Sequence, residues 1–397
     1  MTRTRDWPAH GTRVEPWRST VRGPKEDRLV TEVSTSLPPL VATRRYALTP
    51  GTAALVEAAT VEVAMLDATH GALLGSFDTF LLRTESVASS RIEQVNASMD
   101  DLAKAVAGVK APRGAVETLA ATRALRALVS SAGRTGQVSE EAILDAHRLL
   151  MADDPTDGRY AGRWRDVQNW IGGSDYSPRN AVHVPPPPDT VQAYVDDLVA
   201  FADRDDMPAL VQAAILHAQF ESVHPFTDGN GRIGRALIHA VLRRRRVART
   251  GIVPIAAAML ADTQRYFDVV NGYRDGYAGE FITYLAHATL RAAEEARASV
   301  DELRTMPARW RDELGARSTA TSLTLLGSLL EHPVFDAERA AAMAGAVRPS
   351  TAYDAIDRLT DAGIVREITT SKRDRVWIAS DVMAEIESLN ARLRENP

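Results

Sequence analysis

Apolar residues recur with a helical period over most of this chain. From Thr49 onward they return every three or four positions, the spacing that lines one face of an α-helix. Thr49 and Pro50 suit an N-cap followed by the first helical position. The pattern predicts a mainly α protein, with helices over residues 50–70, 86–108, from 139 onward, 189–203, 208–223, 232–248, 260–272 and about 278–303.

Three stretches depart from this period. Residues 1–48 are polar and contain prolines, so an extended N-terminal arm with little structure of its own is predicted. Residues 156–188 are rich in glycine and proline around the alternating, β-prone run 164–171, which predicts a short β-hairpin in a helical chain. Residues 304–318 are polar, and a linker is predicted there.

The C-terminal residues 319–397 predict a separate small domain. Three short helical segments are followed by two strand-like segments at 364–369 and 375–378, the element order of a winged helix-turn-helix. The predicted reader helix, from Pro349, carries two aspartates and one arginine, whereas the wing at 371–375 is basic. Because phosphate contacts dominate DNA affinity, this balance predicts weak DNA binding at best. Dimerisation or target docking is the alternative role.

Composition narrows the class of protein. The chain has 397 residues, of which 45% are apolar and 25% are charged, as in soluble proteins with more than one domain. A net charge of −5 gives no global signal for nucleic acid or anionic membranes. With no cysteine, disulfides and thiolate catalysis are excluded, and a cytoplasmic location is expected. No signal peptide or membrane span is predicted, so no membrane partner is expected.

Residues 224–235, HPFTDGNGRIGR, concentrate the polar chemistry of the chain. They lie between two strongly periodic segments, which predicts a tight loop that leads into a helix N-terminus. Gly229 and Gly231 permit positive φ and close approach of a ligand, and successive amides there can bind an anion. Arg232 and Arg235 share a face of the first helical turn and can each bind phosphate oxygens. The spacing therefore predicts a polyphosphate site.

Two further residues of this stretch suit phosphoryl chemistry. His224 precedes the predicted anion site and can accept a proton from an attacking hydroxyl. Asp228 provides a hard oxygen ligand, and Mg²⁺ usually takes one or two carboxylates together with substrate phosphates. In-line transfer needs positioning, charge neutralisation and a base. A structural turn is the alternative interpretation of any one of these residues, but not of the whole set.

The stretch resembles the motif of the Fic family, His-x-Phe-x-Asp/Glu-Gly-Asn-Gly-Arg-x-x-Arg, at every defined position. Most Fic proteins transfer AMP from ATP to Ser, Thr or Tyr hydroxyls of proteins. The resemblance implies that His224 is the general base and Asp228 the Mg²⁺ ligand. It implies that residues 229–231 form the anion hole, that Asn230 and Arg232 hold the α- and β-phosphates, and that Arg235 holds the γ-phosphate. The intact Gly-Asn-Gly-Arg portion favours AMP transfer over phosphorylation of the target.

The surroundings agree with the family over about residues 50–290. The predicted hairpin resembles the family's flap, which can bind an extended target segment through backbone hydrogen bonds. The residues expected to dock the target are Val167, Gln168, Asn169, Trp170, Ile171 and Gly172. On the nucleotide side the resemblance adds Gly234, and Tyr266, Phe267 and Asn271 for the adenine.

Ser89–Glu93 resembles the family's inhibitory motif, Ser/Thr-x-x-x-Glu-Gly/Asn, with Gln94 at the last position. Ser89 and Glu93 are four residues apart and would share a helix face. The resemblance implies that the Glu93 carboxylate pairs with Arg235 and takes the place of the γ-phosphate. Autoinhibition within one chain is therefore expected.

These observations predict a Fic-type helical core with a short flap and a winged-helix tail. The predicted domains are an arm (1–48), a helical region with the inhibitory helix 86–108 (49–135), the catalytic core (136–303), a linker (304–318) and the winged helix (319–397). ATP, Mg²⁺ and a protein target are the expected ligands, with self-modification and a homodimer as further expectations. Two other functions stay open: removal of AMP from proteins, and DNA-binding regulation with a Fic sensor domain.

Overall fold

The computed structural model describes residues 4–19, 22–69, 74–345, 349–370 and 374–395. Within these residues the chain is mainly helical, which confirms the predicted class. The helices are α1 Lys25–Arg28, α2 Pro50–Thr69, α3 Leu74–Ile92, α4 Met99–Val106, α5 Arg113–Thr135, α6 Glu140–Met151, α7 Val191–Ala202, α8 Ala209–Val223, α9 Asn230–Arg244, α10 Ile255–Ala261, α11 Thr263–Arg274, α12 Ala278–Leu314, α13 Ala320–Gly327, α14 Ala337–Met343, α15 Pro349–Asp361 and α16 Ser380–Glu395. The strands are β1 Gly11–Pro16, β2 Glu32–Leu37, β3 Val334–Asp336, β4 Val365–Glu367 and β5 Val376–Ala379.

The chain divides into two compact units. The first unit consists of residues 1–60, 123–247 and 263–287. The second unit consists of residues 61–122, 248–262 and 288–397. The 224–235 motif lies in the first unit.

Helix α8 forms the centre of the first unit, because each of its residues is buried. Its polar side chains are satisfied internally: the Gln212 amide, for example, donates to the carbonyl oxygens of Phe201, Ala202 and Arg204 at 2.8–3.0 Å. Helix α9 packs closely on α8 at Gly234, where an added Cβ would lie 2.6 Å from Glu221 Oε1. Gly234, predicted at the nucleotide site, is thus a helix-packing position.

The N-terminal arm has more structure than predicted. Strands β1 and β2 pair antiparallel, with Gly11 opposite Leu37 and Pro16 opposite Glu32. On β2, Val33 and Thr35 are buried while the residues between them are exposed. This alternation of period two covers only six residues, too few to distinguish it from a polar coil.

Two predicted helix boundaries are wrong. The helix predicted over 86–108 is two helices, because α3 ends at Ile92 and α4 begins at Met99 after the N-cap Ser98. Between them, Gln94 has a left-handed backbone with φ of 61°. The residues predicted as a linker from 304 onward continue α12 to Leu314. Met306, Trp310 and Leu314 recur every four residues and are all buried, so packing stabilises this polar stretch as a helix.

The predicted flap hairpin is reduced to a single bridge. Ile171 pairs with His183 in an isolated antiparallel bridge, without flanking strands. The prolines at 185–188 have no amide hydrogen to donate to a ladder. Nearby carbonyl groups instead accept hydrogen bonds from side chains, including that of Pro185 from Gln168 Nε2 at 3.0 Å.

The C-terminal part of the second unit contains α13, α14 and α15 with a three-stranded antiparallel sheet in the order β3-β5-β4. The sequence predicted the three helices and the strands β4 and β5, but not strand β3 between α13 and α14. The winged-helix assignment itself stays a prediction. Residues 371–373 of the expected wing lie outside the described residues. Arg375 pairs with Glu367 at 2.7 Å, and Arg358 donates to the Arg317 carbonyl at 3.0 Å. These two basic side chains are therefore engaged within the chain.

No helix in the described part of the chain combines the length and the apolar character needed to cross a membrane.

Candidate functional site

His224 ends α8 in a strained backbone conformation. Its φ and ψ are 47° and 61°, in the left-handed region that non-glycine residues seldom adopt. The His224 amide donates to the Phe220 carbonyl at 2.8 Å, and the His224 carbonyl accepts from Arg165 Nε at 2.9 Å. The backbone is therefore held on both sides of the ring-bearing carbon.

The His224 ring is neutral at pH 7. Burial lowers its pKa to about 3, and the positive charges of Arg274 and Arg165 act in the same direction. Its Nδ1 lies 3.9 Å from Glu221 Oε2, beyond hydrogen-bond reach, and has no hydrogen-bond partner among the described residues. The side chain is 18% exposed. The ring can therefore accept a proton from an incoming group.

Asn230 closes the loop that follows. Its Oδ1 accepts from the Phe226 amide and its Nδ2 donates to the Phe226 carbonyl, both at 2.9 Å. Gly229, the N-cap of α9, has φ of 76°, and a Cβ there would lie 2.9 Å from Leu150 Cδ2. The glycine is thus required by both conformation and space, and the predicted phosphate ligand Asn230 is engaged with its own loop.

A second histidine, His147 on α6, supports this loop. The Gly162 amide donates to His147 Nδ1 at 2.9 Å, so Nε2 carries the hydrogen and donates to the Asp228 carbonyl at 3.1 Å. The ring stacks on Phe226 with centroids 3.6 Å apart. Burial lowers its pKa to about 4. The sequence gives no signal for this role, because a single histidine in a helix resembles any core histidine.

Asp228 is suited to a metal ion shared with a substrate. Its side chain is 52% exposed, Oδ1 accepts from the Gly229 amide at 2.6 Å, and Oδ2 lies 3.4 Å from Arg232 Nη2. No group of three or more acidic or histidine side chains that could hold a metal occurs in the described residues. A single carboxylate fits Mg²⁺ only where phosphates and water complete the six oxygen ligands.

The two motif arginines lie in the first two turns of α9, whose N-terminal end can bind an anion. Arg232 and Arg235 are buried, at 9% and 1% exposed. Arg232 Nε has no hydrogen-bond partner among the described residues. The first-turn amides of α9 have no earlier carbonyl within the helix to bond, and its positive end favours an anion. A phosphate here would accept from Arg232 Nε and from the first-turn amides of α9.

The three residues predicted near adenine differ in their surroundings. Tyr266 is buried, and its hydroxyl lies 2.9 Å from Nε2 of the buried His217. Phe267 is 42% exposed. The Asn271 side chain accepts from Arg274 Nη1 at 2.7 Å. Of the three, Phe267 presents an accessible aromatic face.

The flap residues are tied to the motif loop. Asn169 Nδ2 donates to the Phe226 carbonyl at 2.8 Å. The Ile171 amide donates to the His183 carbonyl at 2.8 Å, and Gly172 follows with φ of 70°. Trp170 donates to the Ser174 carbonyl, while Val167 is 47% exposed. The structure thus places the predicted flap beside the motif loop.

The N-terminal arm contacts residues 177–184, which follow the flap. The Ser36 amide donates to the Val184 carbonyl at 2.8 Å. Asp27 is 1% exposed, accepts from the Ser177 hydroxyl at 2.6 Å and pairs with Arg179 at 3.2 Å. The Ser177 hydrogen bond is the main cause that lowers the pKa of Asp27. The sequence did not indicate this contact, because Asp27 lies 150 residues from Ser177.

The predicted inhibitory residues lie in the second unit. Ser89 is buried on α3, and Glu93 is exposed just beyond the end of that helix. The Glu93 amide donates to the Ser90 carbonyl at 3.1 Å. Since Arg235 belongs to the first unit, the pairing of Glu93 with Arg235 stays a prediction.

Sequence comparison relates this region to known proteins. Residues 137–242 match the Fic/DOC family. A protein adenylyltransferase Fic of Nematostella vectensis is 28% identical over 170 residues, 42% of this chain and 36% of that protein. A probable protein adenylyltransferase of Aquifex aeolicus is 28% identical over 173 residues, 43% of this chain and 50% of that protein. The matches thus span no more than half the length of these two relatives.

Solved structures show the same fold. A Fic family protein from Desulfovibrio desulfuricans aligns with a TM-score of 0.53 at 21% identity, over 84% of this chain and 97% of that one. Fic-1 of C. elegans aligns with a TM-score of 0.50 at 21% identity, over 64% and 75% of the two chains. The motif, the sequence match and the fold agree, and the chain therefore carries a Fic domain over residues 137–242.

Proposed function

We propose that this chain is a protein adenylyltransferase that transfers AMP from ATP to a Ser, Thr or Tyr hydroxyl of a protein target and releases pyrophosphate. The observation that carries the proposal is the position of His224, a neutral imidazole held at the edge of an anion-binding helix start. The names of the two relatives support the same activity.

The phosphate-binding part of the reaction uses charge and backbone geometry. The triphosphate binds along the start of α9, where the first-turn amides, Arg232 and Arg235 neutralise its charge. Arg232 Nε, which lacks a partner among the described residues, gains a phosphate oxygen. Asp228 would hold Mg²⁺, and a bound Mg²⁺ would neutralise charge on the phosphate oxygens.

The transfer step needs one base. The target hydroxyl oxygen forms a bond to the α-phosphorus, and the bond from that phosphorus to the oxygen bridging to the β-phosphate breaks. The hydroxyl proton moves to a ring nitrogen of His224, and pyrophosphate carries away the electron pair. Free His224 is a weak base because its pKa is about 3. A bound triphosphate stabilises the imidazolium by charge and so raises this pKa in the complex.

The flap positions the target hydroxyl. An extended target segment adds backbone hydrogen bonds along residues 167–172, next to the loop that carries His224. Asn169 fixes this edge to the motif loop through the Phe226 carbonyl. We further propose that Glu93 inhibits transfer until it is displaced.

The test uses ATP labelled at the α-phosphate, Mg²⁺ and a cell lysate. The Glu93→Gly protein is expected to transfer label to itself or to lysate proteins faster than wild type. Adding His224→Ala is expected to reduce labelling by at least ~100-fold, the usual contribution of a general base. His332→Ala, a histidine of the second unit, serves as the matched control and is expected to leave labelling unchanged.

Two results would contradict the proposal. Labelling that persists after His224→Ala would exclude His224 as the base. A Glu93→Gly rate equal to that of wild type, with Glu93→Gln also unchanged, would refute the inhibitory role. Mass spectrometry of labelled proteins would identify the modified residue type.

A further inference from the structure

Arg165 is a buried cation of the first unit. Its side chain is 2% exposed, and no carboxylate of the described residues forms an ion pair or hydrogen bond with it. A desolvated guanidinium is costly unless its donors are satisfied. Burial accordingly lowers its pKa to about 10.

Backbone carbonyl groups satisfy the guanidinium instead. Nε donates to His224 O at 2.9 Å and Nη1 to Val167 O at 3.2 Å. Nη2 donates to Pro186 O at 2.6 Å and, at 3.4 Å, to Val223 O. One rigid, planar group therefore binds the end of α8, the start of the flap at Val167 and the proline run 185–188 together.

The hydrogen bond from Arg165 to the His224 carbonyl fixes the backbone of His224. The backbone of His224 is left-handed, a conformation that persists only where the surroundings hold it. Arg165 Nε makes the short hydrogen bond to that residue's carbonyl, while Asn169 Nδ2 lies farther away at 3.4 Å. Since the carbonyl plane and the ring share one Cα, fixing the plane restricts the direction in which the ring leaves the backbone.

We propose that Arg165 is a positioning residue that orients the His224 ring against the flap edge on which the target lies. The inference rests on the proposed transferase function for its kinetic consequence, but not for its structural one. Arg165 touches neither of the reacting groups, so it acts through His224 and through the flap.

The experiment compares Arg165→Met and Arg165→Lys in the Glu93→Gly background. Arg165→Met removes all four hydrogen bonds, whereas lysine keeps the charge but cannot bind the three segments as one planar fork. Arg245→Met is the matched control, because Arg245 also donates to a carbonyl, that of Met207 at 3.1 Å, but follows the far end of α9. Circular dichroism confirms that each variant is folded.

The kinetic readout separates positioning from binding. Arg165→Met is expected to lower kcat for transfer of labelled AMP by ~10- to 100-fold, the order that a displacement of about 1 Å costs. The Kd of ATP with Mg²⁺, measured by calorimetry, is expected to stay within about twofold, and Arg165→Lys is expected to recover part of kcat. An equal loss in Arg245→Met, or a fall in kcat matched by loss of ATP binding, would overturn the proposal.

A second readout does not depend on activity. In protein labelled at histidine, the His224 resonances are followed by NMR during titration. The groups around the ring are Arg165, Arg274, Glu221 and His183. Removing the Arg165 charge is expected to raise the His224 pKa and to broaden or shift its resonances, while Arg245→Met leaves them unchanged. Unchanged resonances in Arg165→Met would refute positioning even if the chain transferred no AMP at all.

Discussion

Helices α8 and α3 are each followed within two residues by a non-glycine residue in the left-handed conformation, as is α9 by Arg246. Helix α8 ends at His224 with φ of 47°, and α3 ends just before Gln94 with φ of 61°. The carbonyl of His224 accepts from Arg165 at 2.9 Å in a buried setting. The carbonyl of Gln94 accepts from the exposed Asn96 at 3.1 Å.

The difference concerns how strongly each end is held. The His224 end is fixed by side chains from distant segments, so its conformation is set by the folded unit. The backbone hydrogen bonds of the Gln94 end are local, among them that from the Val95 amide to the Ser90 carbonyl at 3.0 Å. Segments held locally open at low free-energy cost. The proposed function requires that His224, the proposed base, is held rigidly and that the turn next to Glu93, the proposed inhibitory residue, can adjust.

The largest effect is expected from a substitution at Gly229, in the loop that joins the His224 end of α8 to α9. Gly229→Ala introduces a Cβ at 2.9 Å from Leu150 Cδ2 in a backbone with φ of 76°. The left-handed backbone costs about 1–2 kcal/mol and overpacking about 1–3 kcal/mol. A loss of ~2–5 kcal/mol in the free energy of unfolding is expected, together with loss of AMP transfer. Denaturant unfolding and the labelling assay measure the two effects.

Gly136→Ala is the matched control for this substitution. Gly136 also has positive φ, at 72°, but nothing lies within 4 Å of the added Cβ. Only the conformational cost of about 1–2 kcal/mol applies there. Equal destabilisation by the two substitutions would show that the space beside Leu150 does not constrain the motif loop.

Acidification is expected to lower the free energy of unfolding by a smaller amount, through His147, which holds the same loop. The pKa of His147 is about 4, below its ordinary value of 6.5, because the ring is buried. The unfolded chain therefore binds more protons between these two values, and the stability that neutral His147 contributes is complete above pH 6.5. It falls as the pH drops toward 4, by up to about 1.4 kcal/mol per pH unit.

Hydrogen exchange of the Gly162 amide measures this effect locally, because that amide donates to His147 Nδ1. Its protection is expected to fall between pH 6.5 and 5, after correction for the intrinsic exchange rate. In His147→Gln the protection of the Gly162 amide is expected to depend less on pH, because only the other buried histidines then titrate. A protection factor that stays constant over this range would contradict the assigned tautomer.

The sequence predicts the functional residues that are adjacent along the chain, but it does not predict the distant residues that hold them in place. The residues from His224 to Arg235 are adjacent in sequence, so their types and spacing predict an anion site directly. Arg165 and His147 act on carbonyl groups 59 and 81 residues away. A carbonyl group is present at every residue, so such a pairing leaves no pattern in the residue types.

Helix boundaries were missed for a related reason. The continuation of α12 beyond residue 303 depends on burial of Met306, Trp310 and Leu314, which tertiary packing provides. The break after Ile92 depends on one residue in a conformation that glutamine seldom adopts. The mainly helical class survives both errors, because it rests on many periodic segments.

The smallest expected effect tests the adjustable end. The inhibitory motif that Ser89–Glu93 resembles has Gly or Asn where this chain has Gln94. The positive φ of Gln94 gives a physical reason, because Gly adopts that conformation without steric cost and Asn more readily than most residues. Gln94→Gly is therefore expected to favour the turn by roughly 1 kcal/mol.

The readout is protection of the Val95 amide, whose bond to Ser90 closes the turn. Gln94→Gly is expected to increase this protection about fivefold, as 1 kcal/mol implies. Gln94→Ala removes the same side chain without relieving the backbone and is expected to give no increase.

If the proposed inhibition depends on this turn, Gln94→Gly also slows AMP transfer, whereas the Glu93→Gly, Gln94→Gly double variant transfers as fast as Glu93→Gly alone. A double variant slower than Glu93→Gly would show that the turn acts on transfer independently of the Glu93 carboxylate.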